Sequence, residues 1–174
     1  MIRLLTIAPD ELERVRAAGR MDECRGFAAA EPDILPGVVI EDAFNRFEAG
    51  EEWFWCAPRL FLSGDGGLIV GAGSFRHAPR NGDVEIGYGV AASCAGRGLA
   101  SLGAAQMVEE AFGRPEVVAV TAEAAVANRA SERVLEKNGF RQTGSRIDPE
   151  DGPVSQWRLD RPGPGQAPGV PSAV

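Results

Sequence analysis

The chain has few of the residues on which metal and imidazole chemistry depend. Its 174 residues include one histidine, His77, and three cysteines, Cys24, Cys56 and Cys94. An odd number of widely spaced cysteines gives neither a disulfide framework nor a thiolate metal cluster. A histidine-based metal site or catalytic dyad would hang on His77 alone, so no metal is expected. Uninterrupted apolar sequence long enough to cross a bilayer is also missing, which argues against a membrane partner. The opening Met1–Ile7 is cut short by Pro9-Asp10-Glu11, too soon for a secretory signal, and a cytoplasmic location is expected. Nor is there a basic surplus: the formal net charge is -7. Lysine occurs once, at Lys137, and arginine supplies the remaining cations. That balance argues against nucleic acid as the main partner. It leaves room for a local basic patch facing a phosphorylated cofactor, and it suits a cationic acceptor.

This length fits one domain with a substantial apolar core. A strand is predicted over Ile2–Ile7 and a helix from Pro9 to Ala18, with acidic residues at its start. Asp22–Ala30 is read as further helix, ended by Pro32 and Pro36-Gly37, and another helix follows over Ile40–Gly50. Arg59–Leu62 and Leu68–Phe75 flank a glycine-rich turn as a hairpin. After the Asn81-Gly82 turn comes a third strand, Val84–Val90. The remainder alternates: helix Gly98–Phe112, strand Val117–Thr121, helix Asn128–Asn138 ended by Gly139, a strand from Phe140, and Val154–Leu159 closing the sheet. The order predicts an α/β fold with a mixed, largely antiparallel central sheet and helices on both faces. One domain is expected over 1–160. The Pro-, Gly- and Ala-rich stretch 161–174 is expected to be a mobile tail.

Two constellations carry chemistry. The first is Glu85-Ile86-Gly87-Tyr88-Gly89-Val90, followed by Ala95-Gly96-Arg97-Gly98-Leu99-Ala100-Ser101. A glycine turn leading into a helix start offers backbone amides to an anion, and Gly96 and Gly98 leave room for its oxygens. Arg97 adds charge at the rim. Glycines in a strand-to-helix loop also occur without any ligand. The run lacks the Gly-Lys-Ser/Thr of a Walker loop, and it does not follow the first parallel strand as a dinucleotide fingerprint would.

The second constellation is Asn128-Arg129-Ala130-Ser131 with Glu136-Lys137-Asn138-Gly139-Phe140. Asn128 and Ser131 are three residues apart and share a helix face. Asn128 also reads as a helix cap, and Ser131 as a hydroxyl that could satisfy a nearby carbonyl.

Together these motifs resemble the GCN5-related N-acetyltransferase (GNAT) superfamily, and especially its ribosomal-protein alanine N-acetyltransferase branch. In that superfamily a Gln/Arg-x-x-Gly-x-Gly/Ala loop binds the coenzyme A pyrophosphate. Gly98 and Ala100 match this pattern, while Ala95 departs from its first position. The branch is also similar at Glu85-Ile86-Gly87-Tyr88 and at Asn128-x-Ala130-Ser131, where the Asn contacts pantetheine or orders the site. The likeness runs over about Leu68 to Leu159. It implies the acyl-CoA N-acyltransferase fold, acetyl-CoA as co-substrate, and Val90, Ala95–Ser101, Asn128 and Ser131 as cofactor contacts.

The resemblance also implies an acceptor that is a primary amine, on a small molecule or a protein N-terminus. Such an amine must lose a proton before attack, and Glu85 is the preferred base. A strand amide near Tyr88 to Val90 is the expected donor to the developing oxyanion. Many relatives place a Tyr on the second helix against the thiolate. Here that position is Leu135, which leaves Ser131 and Tyr88 as the hydroxyl candidates. His77 and the Trp53–Trp55 segment are candidates for the acceptor border, the latter also for a dimer surface or a core edge. A homodimer is compatible with the sequence and required by nothing in it. The competing reading is a non-catalytic acyl-CoA sensor or scaffold.

Overall fold

A proline at the first helical position and a glutamate two residues later start the first helix of the computed structural model, which describes residues 1–64 and 67–163. Strand β1 (Ile2–Thr6) leads into α1 (Pro9–Ala18), where the Glu11 carboxylate accepts from the Ala8 amide at 2.8 Å. Gly19 (φ 66°) ends α1 in the left-handed conformation. The helix expected over Asp22–Ala30 is instead a small hairpin of β2 (Glu23–Cys24) and β3 (Phe27–Ala28). Its two-residue turn puts both Arg25 (φ 50°) and Gly26 (φ 79°) in the left-handed region, which suits a tight hairpin. Arg25 is held there by a forked pair with Glu11 (2.6 and 2.7 Å), a tertiary contact that overrides local helix preference.

The sheet is completed by β4 (Arg59–Ser63), β5 (Ile69–Phe75), β6 (Asp83–Val90), β7 (Ala119–Ala125), β8 (Arg141–Asp148) and β9 (Gly152–Asp160). Its seven strands run β1-β4-β5-β6-β7-β9-β8. Every neighbouring pair is antiparallel except β6–β7. The expected mixed, largely antiparallel sheet is therefore present. The strand expected to close it, β9, lies inside it, and β8 is the edge. Side-chain character explains the exchange: β9 buries Val154, Ser155 and Trp157, whereas β8 is polar and mostly exposed.

Helices α2 (Gly37–Glu48), α3 (Trp53–Cys56), α4 (Leu99–Phe112) and α5 (Arg129–Lys137) cover the sheet. Ile7, Leu12, Ile40, Leu60, Leu62 and Ile69 form one core with α1 and α2. Phe61, Val84, Ile86, Met107, Ala111, Val120, Leu135 and Trp157 form the other with α4 and α5. Small residues let α4 lie close: a Cβ on Gly103 would strike the Phe61 ring. Arg59 is fully buried, its guanidinium 4.7 Å from the ring centroids of both Phe54 and Phe75 and paired with Glu110 at 3.0 Å. Trp53 packs on Phe44 and Phe47 and donates to the Ile7 carbonyl at 2.9 Å, so the aromatic segment is a core edge.

Arg161, read as the first residue of a mobile tail, is instead tied into the fold. It donates to the carbonyls of Val117 (2.8 Å), Phe112 (2.8 Å) and Arg114 (2.6 Å), placing a cation at the end of α4. The rest of that expectation, from residue 164, lies outside the described residues. Among the described residues no helix is long and apolar enough to cross a membrane.

Candidate active site

Strands β6 and β7 pair at only three positions: Asp83 with Ala119, Val84 with Val120, and Glu85 with Thr121. Beyond Glu85, β6 continues on β5 as far as Val90, while β7 continues on β9 as far as Ala125. The sheet thus opens along the last five residues of β6. Arg76 N–H donates to the Glu85 carbonyl (2.8 Å) and Ala91 N–H to the Val70 carbonyl (2.9 Å), so the odd-numbered residues of β6 bond to β5. Alternation along a strand then turns the N–H groups of Tyr88 and Val90 toward the opening. This is the stretch from which an oxyanion donor was expected.

At the end of β6 a short 3-10 turn, Ala92–Cys94, is capped by Glu31, which accepts from the amides of Ala92 (3.2 Å) and Ser93 (2.8 Å). Those amides hold the Glu31 carboxyl below the usual carboxylate range. Cys94 is buried in the core, away from any reactive setting. Ala95, Gly96, Arg97 and Gly98 are all exposed. Gly96 and Gly98 both have φ 74°, and a Cβ on either would meet nothing within 4 Å. Gly98 is the N-cap of α4, with no side-chain cap and no acid in the first turn. The first-turn amides of Leu99, Ala100 and Ser101 are therefore left for an external acceptor, at the positive end of a 14-residue helix. Arg97 forms no ion pair among the described residues. A row of free amides at a helix start, with a cation beside it, can accept an anion.

Helix α5 forms the other side of the opening. Asn128 caps it, its Oδ1 accepting from Ser131 N–H at 3.1 Å, which leaves the Asn128 amide donors without a partner among the described residues. Tyr88 reaches across the gap and donates to the Ser131 carbonyl at 3.4 Å. The fold thus brings Tyr88, Asn128 and Ser131 to one place. Leu135 is fully buried and packs in the core. Burial pushes the Tyr88 phenol up, so it keeps its proton at neutral pH.

Two residues that fix α5 were not recognised in the sequence as contributors to the site. Buried Glu132 pairs with Arg129 and accepts from Ser155 Oγ at 3.0 Å, and Ser155 Oγ in turn accepts from Trp157 Nε1 at 2.8 Å. Asn138 Nδ2 reaches Ser101 on α4. A glutamate among other helix charges, and an asparagine beside a terminal glycine, carry no local mark of these partners.

The opposite face of β6 carries Asp83, Glu85, Gly87 and Gly89, two carboxylates and then two bare positions. Burial pushes the Glu85 carboxyl up, and Glu123 on β7 adds to this; Arg76, His77 and Arg146 oppose it. Glu123 itself is held low by a forked pair with Arg146 (2.8 and 2.6 Å). Above Gly87 and Gly89 lies a cavity of about 460 Å³, closed by Ile34, Leu35, Val38 and Val39. Neither His77 nor Trp53–Trp55 lines it. His77 Nδ1 sits 2.9 Å from the Ala78 carbonyl oxygen.

Residues 7–141 match the model of the acetyltransferase (GNAT) domain. No curated protein sequence matches the chain significantly. Among solved structures it is similar to aminoglycoside acetyltransferase AAC(6')-Ib in complex with coenzyme A (19% identity, 92% of this chain and 95% of that one, TM-score 0.61). It is also similar to a chimera of the spermidine N-acetyltransferase SpeG from Vibrio cholerae (13% identity, 91% and 95%, TM-score 0.63). A third structure, of a probable acetyltransferase, shares 21% identity over 92% and 93% of the two chains, with TM-score 0.62. At these identities the likeness is one of fold.

Proposed function

We propose, from the premise that the chain belongs to the GNAT acetyltransferase family and is an acetyl-CoA-dependent N-acetyltransferase, that the opening between β6 and β7 is where the thioester meets the amine. One observation carries this reading: beyond the last β6–β7 pair, Glu85 with Thr121, the strands part, with the uncapped start of α4 following β6 and the cavity over Gly87 and Gly89 lying two residues past Glu85.

The amides of Gly98 to Ser101, with Arg97 at the rim, hold the diphosphate. Asn128 and Ser131 flank the pantetheine arm in the opening. Val90 N–H donates to the thioester oxygen as charge builds on it. The acceptor enters through the cavity, and Glu85 takes its proton directly or through one water. A nitrogen–carbon bond forms, the carbon–sulfur bond breaks, and the electron pair leaves with sulfur. The thiolate is protonated by the Tyr88 phenol or by water. Desolvation suits Glu85 to its task, because a carboxylate with a raised pKa is a stronger base than an exposed one.

The acceptor is a primary amine. The motif likeness to the ribosomal-protein alanine branch supports a protein α-amine; the aminoglycoside and spermidine enzymes of the same fold support a small molecule. A cavity of about 460 Å³ is of small-ligand size. Three free cysteines support a reducing, cytoplasmic setting.

The test is release of free thiol from acetyl-CoA across a broad amine panel, with mass spectrometry of the products. Amine-dependent thiol release is expected. Saturable acetyl-CoA binding with no transfer to any acceptor, cell extract included, would establish the sensor reading instead.

A further inference from the structure

Arg76 stands across the sheet from Glu85, its N–H bonded to the Glu85 carbonyl at 2.8 Å, so the two side chains rise on the same face. An arginine so placed commonly bridges its opposite carboxylate. Here no ion pair forms. The guanidinium lies instead over Gly87: a Cβ there would stand 2.9 Å from Nε, 3.1 Å from Nη2 and 3.3 Å from Cζ. Glycine at 87 gives the planar group its berth, and that berth is part of the cavity lining. Among the described residues the exposed Arg76 side chain has no hydrogen bond and no salt bridge, so its guanidinium is open to an external anion.

The other charges on the cavity sharpen the point. Two carboxylates line it. Glu31 is committed to the Ala92 and Ser93 amides, and Asp33 is exposed at the rim. On this lining a polycation would meet one free carboxylate, Asp33, and the Arg76 guanidinium, whose cross-strand carboxylate Glu85 lies outside the lining and makes no ion pair with it. The wall opposite is apolar, formed by Ile34, Leu35, Val38 and Val39.

We infer that the acceptor is an amine bearing a carboxylate, held by Arg76, and an apolar side chain set against α2: a free α-amino acid or its close analogue. This rests on the reading of the cavity as the acceptor site. A planar guanidinium pairs with a carboxylate through two parallel N–H donors, a geometry lysine cannot reproduce. The carboxylate then anchors one end of the acceptor at the exposed Arg76 side of the cavity, next to the strand position of Glu85.

The test uses matched pairs that differ only in the carboxylate: leucine against 3-methylbutylamine, and phenylalanine against 2-phenylethylamine. Each is titrated calorimetrically into the full chain with coenzyme A present, and each is assayed for acetyl transfer. Acids are expected to bind at least ~10-fold more tightly than their amines, the range of a charge-assisted pair. In Arg76→Gln that ratio is expected to collapse toward one. Arg76→Lys should restore part of it, and Gly87→Ala, which evicts the guanidinium without removing it, should lower it. Equal or weaker binding of the acids, a ratio unchanged in Arg76→Gln, or no binding by any member of either series overturns the inference. Selective binding of the acids without acetyl transfer would uphold the carboxylate site and count against the assigned reaction, so the two failures are distinct.

Discussion

Asn138 donates its side-chain amide to both the carbonyl (3.2 Å) and the hydroxyl oxygen (3.1 Å) of Ser101, bonding the end of α5 to the first turn of α4. The same nitrogen reaches the Val134 carbonyl at 2.8 Å, within its own helix. One residue therefore sets the spacing between the helix whose first-turn amides we propose hold a diphosphate and the helix that carries Asn128 and Ser131. Removing it leaves a half-buried carbonyl short of a donor. Asn138→Ala is expected to cost about 1–2 kcal/mol of stability. It should also weaken coenzyme A binding by about fivefold, the equivalent of ~1 kcal/mol. Thermal unfolding with and without coenzyme A separates the two effects; an unchanged ligand-induced rise in Tm would show that the spacing does not matter to the cofactor.

Gly98 offers a cleaner probe of the loop. Its φ is 74°, and a Cβ would meet nothing within 4 Å, so a substitution strains the backbone without a clash. A left-handed residue other than glycine costs roughly 1–2 kcal/mol. Gly98→Ala can relieve that strain by turning the loop, which misdirects the Leu99, Ala100 and Ser101 amides. Coenzyme A affinity is expected to fall by about tenfold or more if ~1.4 kcal/mol of anion binding is lost. Dephosphorylated pantetheine analogues, which lack the diphosphate, should bind both proteins alike. Equal loss for the analogue would place the defect elsewhere.

The acidic limb of the pH–rate profile should report Glu85. Its carboxyl is raised by burial and by Glu123, so the deprotonated, active form appears at higher pH than for an exposed glutamate. Glu85→Gln should remove this limb and lower kcat by ~10²–10⁴-fold, the usual worth of a positioned base. Stability moves the other way. A carboxyl whose pKa is higher folded than unfolded stabilises the fold fully below the unfolded value, and that contribution is lost as pH rises through the folded one. At neutral pH the charged form is therefore a burden on the fold, and Glu85→Gln should raise Tm there. At a pH below the ordinary carboxylate range the two proteins should unfold alike. A Tm at neutral pH lower than that of the parent would contradict the assignment of burial as the cause.

What the sequence made legible follows from how local each signal is. The order of strands and helices after Arg59 was readable because glycine turns and apolar periods are written within a few residues of each other. The glycine turn before α4 was readable for the same reason: Gly96 and Gly98 sit in the conformations that call for glycine. The Asp22–Ala30 hairpin was not, because Arg25 holds its left-handed conformation through Glu11, 14 residues away. The interior position of β9 depends on which of two adjacent strands is the more polar once both are paired, and not on either alone. Arg76 carries no local mark in the sequence, because its place over Gly87 is set by the pairing of β5 with β6. Glu132 and Asn138 make their contacts to Ser155 and Ser101 across 23 and 37 residues of chain respectively.

Glu132 shows how such a distant contact is expected to reach activity. It lies in the first turn of α5, where a negative charge is favoured by the helix dipole, and it is buried against β9. Ser155 Oγ donates to it at 3.0 Å and also lies 3.1 Å from the Ala124 carbonyl, so the hydroxyl has an alternative acceptor. Its partner Arg129 is 76% exposed, but the carboxylate it pairs with is buried and would keep only Ser155 Oγ. Arg129→Ala is therefore expected to cost about 1–3 kcal/mol, the penalty of a buried group left short of a partner. Loss of the carboxylate itself opens a void under the helix that carries Asn128 and Ser131. Glu132→Ala is expected to cost about 2 kcal/mol. In a chain of this size that lowers Tm by roughly 4–8 °C. Glu132→Gln keeps the shape and an acceptor for Ser155, and should recover most of this. If α5 is held in place by this contact, the KM for acetyl-CoA should rise in Glu132→Ala and return toward the parent value in Glu132→Gln, measured well below either Tm. A KM that stays at the parent value in both variants would confine Glu132 to stability.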